Sequence, residues 1–360
     1  MIKFLHRCLY VSLIVFCISL IFNLWIYPKL AIVPWTYGSG LLHEKREAIL
    51  SEPGKYNSLI IGSSRVYRQI DPLLLDSVVG EKLNLSTYNL GVNWLFAPET
   101  FYVLDQLTQT DNLKINCAVI ELSKIRSIDF TNLHTARIKY WYSLSNYLFT
   151  IRSVAGSNFS FIEKSATIVL HTVSYIGKLI NLGYLTEAFA FKTNINNADK
   201  NSETGKNGFL PLNISGNDSS EENALARHQL FLSDTASVTR RMNTSINQFQ
   251  KFDQNSKLLN SYNKFYAGKL NEMILKHKNN GTHLVFVLSP RIDENQYNEL
   301  IPLFNQINAA HRIELSDAGK YPQFYMAINS FDETHLNEKG AALYTTLLAT
   351  KLKALLEKGN

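Results

Sequence analysis

Two short stretches hold residue types that together can carry out acyl transfer. The first is Gly62-Ser63-Ser64-Arg65, directly after the apolar run Ser58-Leu-Ile-Ile. A serine at a tight turn from strand to helix presents its hydroxyl outward. Its N–H, near a helix N-terminus, favours developing negative charge. Serine is also a preferred helix cap, and on this tetrapeptide alone capping is the commoner use. The second stretch is Asp332-Glu-Thr-His335-Leu-Asn-Glu-Lys-Gly340. Asp and His three residues apart in one loop can face a common cleft. The imidazole then acts as general base toward a serine hydroxyl, while the carboxylate fixes its tautomer and stabilises the imidazolium. Read alone, the stretch serves equally well as a cap for the last helix, with His335 at the surface. Two arginines are candidates for holding an anionic substrate group: Arg65 beside Ser64, and Arg291 after Ser289-Pro290. Ordinary pairing with Asp or Glu is the commoner role of such residues.

The surrounding pattern places these stretches on elements. Apolar runs predict strands over 58–62, 83–90, 117–122, 283–288 and 324–328. Helical spacing runs over 66–79, 98–107, 257–278, 297–309 and 337–357, with a shorter patch over 42–50. Strands alternating with helices predict an α/β fold, a largely parallel sheet with helices on both faces. In such sheets, sites form at the carboxyl ends of strands, where Ser64 falls. The pattern pauses after residue 128. We expect a helical insertion over about 128–255 that forms a lid or a partner surface. Within it, 168–191 is apolar but broken by His171, Gly177, Lys178 and Gly183, which argues against a second membrane span. Residues 193–223 read as a polar surface loop.

Bulk composition narrows the function. The net charge is +6 over 360 residues, with Lys and Arg scattered rather than in blocks, so no nucleic-acid footprint is read. Of three cysteines, Cys8 and Cys17 belong to the N-terminal apolar run, and only Cys117 lies beyond it. That rules out an intramolecular disulfide in the soluble part. No Cys/His group has zinc spacing, and neither a metal nor an organic cofactor is implied.

The run over 9–27 contains no charge, and only Ser12, Ser19 and Asn23 are clearly polar. About 20 apolar residues cross the ~30 Å hydrocarbon layer as a helix. Lys3, His6 and Arg7 precede the run, and Trp25 and Tyr27 mark its far end as interfacial aromatics. No small-residue cleavage site follows, so the reading is a transmembrane anchor in the lipid bilayer rather than a cleaved signal. Positive charge at the short end predicts a cytoplasmic N-terminus and a main domain that is periplasmic or extracellular. The expected layout is tip and anchor over 1–28, connector over 29–55, and one α/β domain over 56–360 that includes the insertion.

Taken together, the two motifs resemble those of the SGNH (GDSL-type) hydrolases. Where that family has Gly-Asp-Ser, this chain has Gly-Ser-Ser, which aligns Ser64 with the nucleophile. The family's Asp-x-x-His matches Asp332 and His335, and the Leu-Asn-x-x-Gly that follows is also typical. Gly91, in Tyr-Asn-Leu-Gly-Val-Asn, matches the glycine whose N–H serves the oxyanion hole. The resemblance covers about 56–125 and 275–357. The family's Gly-x-Asn-Asp motif is absent: the third strand ends Glu121-Leu-Ser-Lys124, so either Asn93 or Ser123 substitutes or the third donor is missing. The resemblance implies a flavodoxin-like sheet sandwiched by helices. It also implies a Ser64 acyl-enzyme, His335 and Asp332 as base and orienting group, and oxyanion donors at Ser64 and Gly91, with Asn93 the candidate for the third. The single-anchor layout is similar to that of membrane-tethered bacterial proteins that pass acyl groups to surface polymers. These include the D-alanine transfer proteins of teichoic acid assembly and the O-acetyltransferases of exported polysaccharides. That layout implies a polysaccharide or similar acceptor and a membrane acyl-transfer partner. The alternative is a non-catalytic binding or assembly protein of envelope polysaccharide biosynthesis.

Overall fold

Runs of aliphatic residues that close on glycine or a polar residue become the strands. The computed structural model describes residues 2–22, 25, 36, 39–125, 137–180, 204–212, 222–254 and 261–359. In chain order, α1 (Ile2–Ile21) and α2 (Gly40–Leu50) lead to β1 (Ser58–Gly62), α3 (Ser64–Gln69) and α4 (Pro72–Val79). Then come β2 (Thr87–Gly91), α5 (Glu99–Thr108) and β3 (Cys117–Glu121). Helices α6 (Ile138–Trp141), α7 (Leu144–Gly156), α8 (Phe161–Ile180), α9 (Glu222–Ser233), α10 (Ala236–Gln254) and α11 (Ser261–Asn279) follow. The chain closes with β4 (His283–Leu288), α12 (Tyr297–Phe304), β5 (Arg312–Glu314) and α13 (Glu338–Gly359). It divides into two compact units, one of 1–43 with 127–202 and one of 44–126 with 203–360.

The larger unit is built on a five-stranded parallel sheet in the order β2-β1-β3-β4-β5. This is the doubly wound order seen in flavodoxin-like sheets, whose switch point lies between β1 and β3. Strands β1 to β3 are buried along their whole length, which parallel strands covered on both faces require. On one face Ile60, Val119, Val285 and Val287 pack with Val66, Leu75, Val79, Leu348 and Leu352 from α3, α4 and α13. The alternate residues Leu59, Ile61, Ala118, Ile120 and Phe286 point the other way and are equally buried. On that side α5 packs against β1 and α11 against β4. The two helices are tied by Asp105 to Lys276 Nζ at 2.7 Å and by Phe101 to Tyr266, with ring centroids 6.1 Å apart. Cys117 lies within the first core, and burial pushes its thiol up to about 12.

Several expectations need correction. The fifth strand is Arg312–Glu314, not 324–328. Residues 324–328 fall in two 3-10 turns, Pro322–Tyr325 and Ala327–Asn329. Pro322 presets the first turn and lacks a ladder donor. Phe324 and Tyr325 are neighbours that are both buried, which a strand with one covered face would not give. The helix expected over 66–79 is two helices, because Pro72 disfavours the helical region at Asp71. Asp71 then caps α4 by accepting from the N–H groups of Leu73 and Leu74. The second strand starts at Thr87 rather than 83, since Asn84 turns the chain at φ 44°. The stretch over 128–255 is divided between the two units, with α6, α7 and α8 in the smaller and α9 and α10 in the larger. Helix α1 begins at Ile2 and so includes Lys3, His6 and Arg7. Among the described residues it alone is long and apolar enough to cross a membrane. Residues 23–24, 26–35, 193–203 and 213–221, on which parts of the anchor, connector and loop readings fall, lie outside the described residues.

Candidate active site

The turn after β1 needs a glycine and two serines with different jobs. A Cβ on Gly62 would meet Val66 Cγ2 at 2.5 Å and Glu121 Cβ at 2.7 Å, so only glycine fits. Ser63 is the cap of α3: its Oγ accepts from Arg65 N–H at 3.2 Å, and it is buried. The Ser63 N–H donates to the buried carboxylate of Glu121 at 2.7 Å. With capping assigned to Ser63, the Ser64 hydroxyl is left to face the loop before α13. Its Oγ lies 3.0 Å from His335 Nε2.

That loop is folded around one carboxylate. Asp332 Oδ1 accepts from the N–H groups of Thr334 and His335, each at 2.7 Å, and from the Thr334 hydroxyl at 2.9 Å. His335 Nδ1 sits 3.1 Å from both Asp332 oxygens and 2.8 Å from Thr334 Oγ1. A proton on Nδ1 directed at the carboxylate leaves Nε2 free to accept from Ser64. Arg227, on α9, donates from Nε to Asp332 Oδ2 at 3.2 Å. Burial opposes ionisation of Asp332. The hydrogen bond and charge of His335, with the Thr334 and His335 N–H donors, outweigh it and hold the acid well below the usual carboxylate range.

Arg291 frames this loop from behind. It is 1% exposed, and its guanidinium donates to Phe324 O at 2.5 Å, Asp332 O at 2.9 Å, His335 O at 3.1 Å and Ser330 Oγ. Burial lowers its pKa to about 10. The expectation that Arg291 binds substrate is therefore corrected, since its donors are spent on the loop backbone. Arg65 is mostly covered, with Nη2 3.6 Å from Asp293 and Nη1 4.0 Å from Glu121. Arg241, on α10, shares Asp293 at 3.5 Å and donates to Glu333 O at 3.1 Å.

The expected oxyanion donors fare unequally. The Gly91 N–H donates to Asn89 Oδ1 at 2.8 Å, so its assignment as an oxyanion donor is corrected. Glycine is needed there for another reason: a Cβ would lie 2.2 Å from Tyr67 N, where β2 meets α3. Asn89 itself donates to Val66 O and Ile70 O, both at 2.7 Å. Ser123 Oγ accepts from Ala97 N–H at 3.0 Å and is buried. Asn93 is on the exposed turn after β2. The Ser64 N–H makes no hydrogen bond among the described residues.

One residue beneath the site gave no sign in the sequence. Lys45, fully buried on α2, donates from Nζ to the carbonyls of Asn89 at 3.1 Å, Gly91 at 2.7 Å and Gly208 at 2.6 Å. Three acceptors require three N–H groups, which only the ammonium has. Burial, then the nearby Arg68 charge, holds its pKa well below the ordinary lysine value. Arg227 is not set apart by spacing either, and Thr334, read from sequence as a possible cap of the last helix, instead bonds Asp332 and His335. Glu121 had a signal: it is the one charge in the apolar run Cys117-Ala-Val-Ile-Glu-Leu122.

No family model, no curated protein and no solved structure matches the chain.

Proposed function

We propose that the protein is a membrane-anchored serine esterase or O-acyltransferase that acts outside the cytoplasm on cell-envelope polysaccharide or a related polymer. The observation that carries this reading is the continuous contact from Ser64 Oγ through His335 to the Asp332 carboxylate, at 3.0 and 3.1 Å. In this reading the chain is of SGNH type. The strand order and the position of Ser64 at the end of β1 support that.

The steps follow from the atoms. His335 Nε2 takes the Ser64 proton as Oγ attacks an ester carbonyl. The tetrahedral oxyanion is met by the Ser64 N–H. His335 returns the proton to the departing alkoxide, which leaves an acyl group on Ser64. Water or a sugar hydroxyl then gives its proton to His335 and attacks the acyl carbon; the bond to Ser64 Oγ breaks, His335 returns the proton to Oγ, and acid or a new ester is released. Asp332 stays ionised throughout, with a carboxylate already satisfied by its own loop.

A second reading, a non-catalytic binding or assembly protein, draws on the Gly91 N–H being engaged by Asn89. Removing one oxyanion donor costs ~10²–10³ in rate. The two readings part on one experiment. The full chain in detergent is expected to be labelled at Ser64 by a serine-directed phosphonate and to cleave an acetyl ester. Ser64→Ala should lose both by at least ~10³. No labelling of the parent, with Ser64→Ala supporting normal surface polymer in cells, would sink the enzyme.

A further inference from the structure

The smaller unit holds a helix with reversed polarity. On α8 the exposed positions Ile162, Ala166, Val169, Leu170, Val173 and Ile176 are all apolar. At 100° per residue they form one stripe about 120° wide. Of the polar residues on this helix, Glu163 in the first turn is exposed, whereas those farther along turn inward. His171 is buried with Nδ1 2.7 Å from Tyr142 OH, Thr172 Oγ1 is 2.9 Å from Tyr147 OH, and Lys178 Nζ donates to Tyr142 O at 2.7 Å. A helix in water buries its apolar stripe and wets its polar one. The reverse arrangement is stable where the surroundings are less polar than the interior.

The same unit says what those surroundings are. Helix α8 packs against α1, which exposes apolar side chains along its length and is long and apolar enough to cross a membrane. Lipid that surrounds α1 therefore borders α8. Glu163, Lys164 and Lys178 make crossing the hydrocarbon centre unfavourable for α8 itself. We infer that α8 is a second lipid-contacting element, seated beside α1 at the headgroup–acyl boundary with its Val169–Val173 stripe among acyl chains.

The test is local and independent of catalysis. The full chain, with exposed Cys8 and Cys17 changed to serine, is labelled with an environment-sensitive fluorophore at Val169→Cys, at Val173→Cys, or at exposed Ser77→Cys as control. Each is reconstituted in phosphatidylcholine vesicles containing some phosphatidylglycerol. At 169 and 173, spin-labelled acyl chains should quench several-fold while aqueous iodide does not, and the control should show the opposite. Iodide quenching at 169 and 173 equal to that at 77 overturns the inference. Shielding from both quenchers overturns it too and points to a protein cover. A disulfide between two Val169→Cys chains would identify that cover as a second copy.

Discussion

At the scale of single residues, the site depends on where neighbouring groups spend their hydrogen bonds. Glu121 is the clearest case. Its carboxylate accepts from the Ser63 N–H at the turn that presents Ser64. Glu121→Gln keeps the shape but replaces a charge-assisted hydrogen bond with a neutral one about half as strong. A loss of about 1.4 kcal/mol in transition-state stabilisation corresponds to tenfold in rate. Phosphonate labelling of Ser64 should therefore slow roughly tenfold while the thermal midpoint stays near that of the parent; unchanged labelling would remove Glu121 from the site. At this scale much was legible. Ser64, Asp332 and His335 stand in patterns whose spacing reflects local geometry, and the structure brings those residues together. Arg291 and Gly91 were misread because their use depends on partners far along the chain. Nothing in Ser289-Pro290-Arg291 reveals that the loop carbonyls of Asp332 and His335 surround the guanidinium. Likewise, a glycine after a strand does not disclose that a side-chain amide two residues earlier takes up its N–H.

At the scale of elements, α2 is more than a connector. Through Lys45 it grips the end of β2 and the chain at Gly208, with carbonyls that have three N–H donors in one ammonium. Lys45→Met would leave three buried carbonyls without that donor, each costing about 1–3 kcal/mol. The melting temperature should fall by many degrees near neutral pH. The sign of the pH effect follows from the depressed pKa. Between the folded value and the ordinary one near 10.5, the unfolded chain binds the proton more tightly, so stability rises with pH across that window. Lys45→Met should flatten that rise in denaturant titrations at alkaline pH, and an unchanged slope would reassign it to other groups. The long apolar runs of β1, β3 and β4 were readable because parallel strands are apolar on both faces. β5 was not, because Arg312-Ile-Glu314 offers a single apolar residue and no period. The Phe324-Tyr-Met-Ala-Ile328 run imitated a strand by composition alone, while Pro322 set it turning.

At the scale of the whole molecule, stability at low pH should depend on the loop that carries His335. Asp332 is more acidic folded than unfolded. Its contribution is fully present above the unfolded carboxylate value near 3.9 and is lost as pH falls toward the folded value. Asp332→Asn should therefore give a shallower dependence of unfolding free energy on pH below about 4. The parent and variant having parallel acid limbs would contradict that assignment. The division into two units was the least legible feature. A single insertion is the simplest reading of a pause in the α/β pattern. Only the folded arrangement shows that α9 and α10 return to the sheet-bearing unit and bring Arg227 to Asp332.

The contact between Ser64 and His335 spans 271 positions of sequence. At about 5–20 residues per second, the ribosome makes the serine roughly 10–60 s before the imidazole that would activate it. Through that interval the hydroxyl is an ordinary alcohol. Reactivity that depends on this pair therefore cannot arise on the nascent chain and begins only once both ends of the larger unit have been made and folded together.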